Sequence, residues 1–292
     1  MTYLVIGGTG KSGRRVARRL RERGLRVRIG SRAGRPAFDW NADPDSWAPL
    51  LHGVEAAYVT YHPDLAFPGA AESVRAFAER CTQAGVQRLV LLSGRGEEEA
   101  EASEQGVRDS GAEWTVLRST WFAQDFDEAF LLPPVLAGVI ALPTDVPEPF
   151  VDVEDVAEVA VEALTGGGHA GRTYELTGPR LVTFTEAAAL IAAAAGRPVR
   201  FERVTSLECT QRMISQGMPR GEAEALTDLF ARILDGRNAY VTDDVKRVTG
   251  HEPRDFADFV RVAAATGVWG LTTPVPAPIL DLLPGNPGKS RT

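Results

Sequence analysis

The feature that most constrains this chain is a glycine-rich turn close to its N-terminus. A short apolar run, Tyr3 to Ile6, leads into Gly7-Gly8-Thr9-Gly10-Lys11-Ser12-Gly13, and helical periodicity follows it. The spacing satisfies G-x-G-x-x-G, in which glycines let the main chain approach a diphosphate while the helix N-terminus attracts its charge. A plain tight turn is the alternative. We predict a dinucleotide-phosphate site formed by Gly7, Thr9, Gly10, Lys11, Ser12 and Gly13.

A second alternative for this turn is the P-loop of nucleotide hydrolases, because Gly10-Lys11-Ser12 imitates the end of that motif. A P-loop requires a further glycine five positions before Gly10, and Val5 stands there instead. Nucleotide hydrolysis is therefore disfavoured.

Five short apolar runs alternate with helical segments over the first 120 residues, which is typical of repeated βα units on a parallel sheet. The runs are Tyr3 to Ile6, Val27 to Ile29, Ala56 to Thr60, Leu89 to Leu92 and Trp114 to Leu117, and a brief further strand is expected at Phe38 to Trp40. Helices are expected near 12–22, 69–84 and 97–110. The pattern predicts an α/β fold, a Rossmann-type doubly wound parallel sheet with its ligand crevice at the carboxyl edge.

After residue 120 the rhythm breaks at several prolines, and smaller elements follow. We expect a helix at 153–164, a strand at 173–176, a helix at 184–195 and two amphipathic helices between 205 and 235. The predicted organisation is a cofactor-binding core at 1–120 with additions from 150–180, a smaller α/β substrate lobe at 121–270, and a proline-rich tail at 271–292.

Composition excludes several classes of function. A formal net charge of −7 leaves no basic footprint for nucleic acid. No apolar run reaches the roughly 18 residues of a membrane span, and no signal peptide is evident, so a cytoplasmic protein is expected. Two cysteines and four histidines without ligand spacing predict no disulfide framework and no metal site. The oligomeric state stays open between monomer and homodimer.

The end of the second predicted strand distinguishes between the two nicotinamide dinucleotides. NAD-specific domains carry an acid there, whereas Gly30-Ser31-Arg32 offers none. Arg32 can pair with a 2′-phosphate and Ser31 can donate a hydrogen bond to it, which predicts NADP(H) as the cofactor. A solvated arginine is the alternative. Asp39 and Trp40 are expected beside the adenine if the short third strand exists, although Trp40 serves equally well as rim packing.

The proton relay of ordinary short-chain dehydrogenases is missing, because no Tyr-x-x-x-Lys occurs in the chain. The glutamates between Glu97 and Glu104 are expected to be a solvated helical face. Two possibilities remain. Either hydride passes to an acceptor that needs no enzyme-held proton, such as an iminium cation or a quinone, or the domain is a non-catalytic NADP(H) sensor.

The chain resembles the NmrA-like atypical short-chain dehydrogenases, and among them bacterial relatives of the ergot-alkaloid reductases of the agroclavine and festuclavine dehydrogenase type. The resemblance extends to about Trp269. The segments that carry it are LVIGGTGKSGRRV from Leu4, FDWNADPDSW from Phe38, LVLLSGRGEEEAE from Leu89, WTVLRSTWFAQDF from Trp114, PFVDVEDVAEVAV from Pro149, YELTGPR from Tyr174 and LDGRNAYV from Leu234.

What the resemblance implies is an NADPH-dependent reductase of a small cyclic imine, iminium or related unsaturated acceptor. A quinone reductase and a regulator that only senses the cofactor also occur among such proteins. By position, the resemblance places five residues at the ribose and nicotinamide edge: Thr60, Tyr61, Ser93, Gly94 and Arg95.

The same resemblance implies an acceptor wall after the fifth predicted strand. Its residues are Trp121, Phe122, Asp125 and Phe126, with Phe150 also expected to touch the acceptor. Similar proteins are expected to have asparagine where this chain has Asp125, whose carboxylate either attracts a cationic iminium or caps the next helix. Tyr61 and Asp125 are the candidate catalytic residues.

Overall fold

A six-stranded parallel sheet forms the centre of the computed structural model, which describes residues 1–62 and 64–270. The strands of this chain are β1 Thr2–Ile6, β2 Arg26–Gly30, β3 Ala56–Val59, β4 Arg88–Gly94, β5 Glu113–Ser119, β6 Val139–Leu142, β7 Arg172–Leu176 and β8 Arg200–Arg203. The central sheet has the order β2-β1-β3-β4-β5-β7. The predicted Rossmann-type α/β class is therefore confirmed.

Helices cover both faces of this sheet and build the part of the chain beyond it. They are α1 Lys11–Glu22, α2 Ala48–Leu51, α3 Ala70–Gln83, α4 Glu98–Arg108, α5 Asp125–Glu128, α6 Leu132–Ala137, α7 Val153–Thr165, α8 Phe184–Ala195, α9 Ser206–Ser215, α10 Arg220–Ile233, α11 Asp244–Thr249 and α12 Phe256–Ala265. Among the described residues, no helix is both long enough and apolar enough to cross a membrane. The predicted tail at 271–292 lies outside the described residues.

The expected third strand at Phe38 to Trp40 is wrong. Phe38 is buried, but its amide donates to the carbonyl of Ser31 at 2.9 Å, which folds the segment back on itself. Its ring packs 5.5 Å from Phe77 on α3. An irregular loop, not a strand, therefore buries Phe38 against Phe77. No strand of the sheet lies between β1 and β3, which pair directly.

The register of the first strands brings their carboxyl ends together. Ile6 is opposite Gly30, and the amide of Gly7 donates to the Gly30 carbonyl at 3.0 Å. Val5 is opposite Tyr58, so the chain leaving β3 also reaches this edge. The glycine-rich turn, the end of β2 and the residues after β3 therefore lie side by side.

Helix α7 packs beside α1 on one face of the sheet, although more than 120 residues separate them. Arginines of α1 face acids of α7. Arg15 pairs with Glu154 at 3.0 Å, and Arg19 pairs with the same carboxylate at 2.7 Å. Helices α3 and α4 pack against each other on the opposite face. Residues 150–180 thus supply α7 and β7 to the layers around the central sheet.

Beyond the sheet, a separate hydrophobic cluster draws on residues from Ala123 to Trp269. It includes a two-stranded parallel sheet of β6 and β8, which the sequence did not predict. Each strand has only four residues, and a glycine and prolines flank them, so local pattern gave no signal. This cluster supports the loops that follow β5.

Candidate cofactor and acceptor site

The glycine-rich turn between β1 and α1 is shaped for close approach of a ligand to the main chain. Gly7 has φ of +69°, and a Cβ atom there would overlap the Thr60 hydroxyl. A Cβ atom on Gly13 would overlap the carbonyl oxygen of Gly7, so this glycine lets α1 pack directly on the turn. Gly10 precedes the helix without a side-chain cap, and the first turn carries no acid. The cradle fits a diphosphate.

Thr60 supports this turn from the end of β3. Its hydroxyl donates to the carbonyl oxygen of Ile6 at 3.1 Å and lies where a Cβ atom on Gly7 would stand. Thr60 therefore lies beside the turn, and its contact with the cofactor stays a prediction.

Tyr61 and Trp40 belong to an aromatic cluster beside the ends of β1 and β3. Their ring centroids are 5.1 Å apart, and Trp40 also contacts Phe38 at 4.9 Å. Trp40 therefore has the rim-packing role left open by the sequence. The Asp39 carboxylate accepts from the amide of Asn41 at 2.9 Å, which stabilises a local turn.

The end of β2 presents arginine to solvent next to the turn. Ser31 is half-buried and Arg32 is exposed. Within the described residues, no hydrogen bond or ion pair engages the Arg32 side chain. Its guanidinium is thus available where the sequence predicted a 2′-phosphate.

The polar side chains at the end of β4 and directly after it form hydrogen bonds with neighbouring elements. Ser93 donates to Glu104 of α4 at 2.8 Å, and Arg95 donates to Glu175 of β7 at 3.0 Å. The Arg95 guanidinium also lies 3.8 Å from the Tyr240 ring centroid. The expectation that the side chains of Ser93 and Arg95 face the nicotinamide is corrected, because both are buried and donate to acids of α4 and β7.

The glutamates between Glu97 and Glu104 are only partly solvated, contrary to expectation: some are exposed and others are shielded from solvent. Glu104 is fully buried and accepts from Arg118 at 2.7 Å. Glu97 lies against Gly94, and burial together with the neighbouring Asp64 carboxylate raises the pKa of Glu97 to about 9. Glu97 is half-buried, with one carboxylate oxygen shielded from solvent, and the helical charge pattern indicated neither environment.

Glu148 is a second buried acid that the sequence did not single out. It has no exposed surface, and neither carboxylate oxygen has a hydrogen-bond partner among the described residues. Burial raises the pKa of Glu148 to about 7, although the positive charge of Arg95 opposes this. Only the tertiary contacts of its loop reveal it.

No metal site was expected, and the fold does bring three potential ligands together at α7. His251 contacts Glu158 at 2.6 Å, next to Asp155. The Arg254 guanidinium pairs with both acids, at 2.8 Å from Glu158. These ion pairs join α7 to the segment before α12.

Asp125 connects the phosphate turn to the part of the chain that follows β5. Its carboxylate forms an ion pair with the ammonium of Lys11 and accepts from the amide of Phe122 at 3.2 Å. The Lys11 ammonium lies 5.3 Å from the Phe122 ring centroid. Gln124, not Asp125, is the N-cap of α5, and no side chain caps that helix. The helix-capping alternative for Asp125 is therefore wrong.

The same Asp125 lines a narrow cleft whose walls are largely aromatic. The rings that line this cleft are Trp121, Phe130, Phe150, Phe184 and Phe230. The centroids of Trp121 and Phe230 are 5.3 Å apart, so the walls are nearly in contact and no water molecule fits between them. An occupant must part these rings.

Two residues of the expected acceptor wall lie elsewhere. Phe126 is fully buried behind the cleft, where its centroid is 5.3 Å from that of Phe150. Phe122 packs against the core of the sheet next to Lys11. Trp121, Asp125 and Phe150 are brought together as expected, whereas Phe122 and Phe126 are not wall residues.

A second cavity, of about 190 Å³, lies directly behind the cleft between α6, β6 and α9. It shares Phe130, Leu131 and Leu142 with the cleft. The second cavity therefore adjoins the cleft and supplies space that the closed cleft lacks.

A glycine-rich diphosphate cradle at the carboxyl edge of a parallel sheet, with an arginine at the next strand end, defines a dinucleotide-binding α/β protein. Residues 7–166 match the NAD(P)H-binding family model, which covers more than half of the chain. The chain therefore belongs to this NAD(P)H-binding family.

Curated relatives align over nearly the whole chain. A (4-alkanoyl-5-oxo-2,5-dihydrofuran-3-yl)methyl phosphate reductase of Streptomyces griseus is 35% identical, with 88% of this chain and 95% of that protein aligned. An NAD(P)H azoreductase of Xenophilus azovorans is 30% identical, over 90% and 98%. Agroclavine dehydrogenase of Claviceps fusiformis is also 30% identical, over 89% and 96%. The prediction of an NAD(P)H-dependent oxidoreductase family is thereby confirmed.

Solved structures show the same fold. The triphenylmethane reductase of Citrobacter sp., complexed with NADP(H), superimposes with a TM-score of 0.72 at 22% identity, covering 90% of this chain and all of that one. An NADPH-dependent quinone oxidoreductase of Escherichia coli, complexed with NADPH, superimposes with a TM-score of 0.75 at 21% identity, covering 88% of this chain and 98% of that one. At these identities the likeness extends to the fold alone.

Proposed function

We propose that this protein is an NADPH-dependent reductase that passes hydride to a small, flat, unsaturated acceptor, foremost a cyclic imine or iminium. The observation that carries the proposal is the double role of Asp125. This residue lines the aromatic cleft and also pairs with Lys11, which belongs to the phosphate turn. An acceptor in the cleft is therefore adjacent to a cofactor held by that turn.

Residues 1–120 supply the cofactor site in this proposal. The turn from Gly7 to Gly13 holds the diphosphate, while Ser31 and Arg32 hold the 2′-phosphate that distinguishes NADPH from NADH. The bound nicotinamide supplies the hydride. The protein's contribution is to place the acceptor against it and to keep water out, which is a positioning effect.

Residues 121–270 supply the acceptor site. Five aromatic walls favour a flat conjugated ring, since stacked and edge-on aromatic contacts add to the area that is buried. An iminium carbon accepts hydride without a proton at the reacting atom, so the missing Tyr-x-x-x-Lys presents no obstacle. Relatives named azoreductase and agroclavine dehydrogenase support this reading, as does the NmrA-like resemblance.

A quinone is the second candidate acceptor. Lys11 and Asp125 form an ion pair with no net charge at the cleft, and the other walls are apolar. Such a cleft suits an uncharged ring. After hydride transfer a quinone needs one further proton to become the hydroquinone, and water supplies it.

The test is NADPH consumption with a cyclic imine, an aromatic iminium salt and a naphthoquinone, each with and without the protein. Turnover of the imine or iminium above the quinone supports the first proposal, and the reverse order supports the second. Tight NADPH binding with no turnover of any acceptor contradicts both and favours a cofactor sensor.

A further inference from the structure

The ammonium of Lys11 has two potential anionic partners. It is the first residue of α1, within the diphosphate cradle, yet its side chain reaches across to Asp125 of α5. The Asp125 side chain is only 5% exposed, while that of Lys11 is 28% exposed. The lysine can therefore leave this contact for a ligand in the cradle, whereas the carboxylate stays where it is.

A bound diphosphate competes with Asp125 for this one cation. Lysine is a point charge on a flexible four-carbon stem, so a change of rotamer is enough to exchange partners. The Asp125 carboxylate is then left among aromatic rings with the amide of Phe122 as its remaining donor. A buried carboxylate without a counter-ion is costly, and a cation that enters the cleft removes the cost.

We propose that Lys11 is a charge switch: the cofactor diphosphate draws its ammonium from Asp125, and the freed carboxylate then binds a cationic acceptor between the aromatic walls. The acceptor half of this inference rests on the proposed reductase function. The switch makes Asp125 a specificity-determining residue that favours cations only when the cofactor is present.

Linkage gives the switch a signature that does not depend on turnover. If the diphosphate increases the affinity for a cation, the cation must increase the affinity for the dinucleotide by the same factor. We expect N-methylquinolinium to tighten NADP⁺ binding by about fivefold or more, which is within the usual range of coupling between sites. Uncharged quinoline should leave NADP⁺ binding unchanged. Both titrations use calorimetry with the oxidised cofactor, so no hydride is transferred.

Two variants test the two ends of the switch. Asp125→Asn keeps the shape and removes the competing charge, so NADP⁺ should bind several-fold more tightly while its coupling to quinolinium disappears. Lys11→Met should weaken NADP⁺ and let quinolinium bind the free protein as well as it binds the cofactor complex.

Glu128→Gln is the matched control, because Glu128 also joins α5 to α1, through Arg15 at 2.7 Å and through Arg14. It should alter neither NADP⁺ affinity nor coupling. If Asp125→Asn binds NADP⁺ no more tightly than the wild type, or if Glu128→Gln has the same effect, the switch is overturned. Circular dichroism confirms that each variant is folded.

The outcomes for switch and reductase are separable. Coupling without turnover of any acceptor overturns the proposed function alone. Turnover of an iminium without coupling between quinolinium and NADP⁺ overturns the switch alone.

Discussion

Among single residues, the exposed arginine after β2 is the one that we propose selects NADPH over NADH. Arg32 has no partner among the described residues and stands two positions after Gly30, whose carbonyl binds the turn. Its charge is therefore free for a phosphate. The sequence alone identified this position, because an acid is missing there.

We predict that Arg32→Glu weakens NADPH binding by roughly tenfold to a hundredfold and NADH binding far less, since a charge-assisted hydrogen bond contributes about 1.5–3 kcal/mol. Dissociation constants from cofactor fluorescence measure this. Arg35→Glu, an equal charge change on the same loop, is the control and should have a smaller effect. Equal weakening of NADPH and NADH contradicts the cofactor choice.

A second residue-scale prediction concerns Glu148. Its folded-state pKa of about 7 lies above its ordinary value of 4.5, so the folded protein binds the extra proton and loses stability as pH rises between these values. Glu148→Gln removes this loss. We expect the difference in unfolding free energy between Glu148→Gln and the wild type to shift in favour of the variant by about 2–3 kcal/mol from about pH 5 to about pH 8.

Urea unfolding at both pH values measures the effect. Glu98→Gln, on the exposed face of α4, is the control and should show no such pH-dependent gain. If Glu148→Gln raises the free energy of unfolding by the same amount at both pH values, the pKa of Glu148 is not raised in the folded protein.

At the scale of the element, the first turn of α1 unites packing and binding. Gly13 lets the helix sit on the Gly7 carbonyl, and the lack of a cap leaves its end to a ligand. A larger side chain at this position must push the helix away from the turn. The glycine spacing alone predicted this arrangement, because glycines at these positions are typical of a turn that approaches a diphosphate.

We predict that Gly13→Ala costs about 1–3 kcal/mol of folding free energy through overpacking and abolishes measurable NADPH binding. Thermal unfolding and calorimetry measure the two effects. Gly221→Ala is the matched control, because Gly221 also lies in the first turn of a helix and its Cβ atom would meet open space. It should be neutral or stabilising by up to about 1 kcal/mol.

At the scale of the whole molecule, the acceptor cleft exists only because distant segments meet. Trp121 follows β5, Phe184 begins α8, and Phe230 lies near the end of α10. The cleft and its neighbouring cavity are therefore products of the hydrophobic cluster beyond the sheet.

We predict that Trp121→Ala raises the KM for an iminium acceptor by at least about tenfold, because one face of the ring site is lost, and leaves the NADPH dissociation constant unchanged. Steady-state kinetics and cofactor titration measure this. Trp114→Ala, at the opposite end of β5, is the control and should leave both constants unchanged. An equal rise of KM in both variants means that Trp121 acts through general stability.

The sheet, the glycine-rich turn and the cofactor class were predictable from the sequence, because these depend on short-range periodicity, steric freedom and helix-end electrostatics. The three-dimensional fold alone reveals which aromatic rings form the cleft, that Glu104 and Glu148 are buried, and that Asp125 pairs with Lys11. These features arise from contacts between segments far apart in the chain. Local pattern carries no information about the partner that a side chain meets across more than a hundred residues.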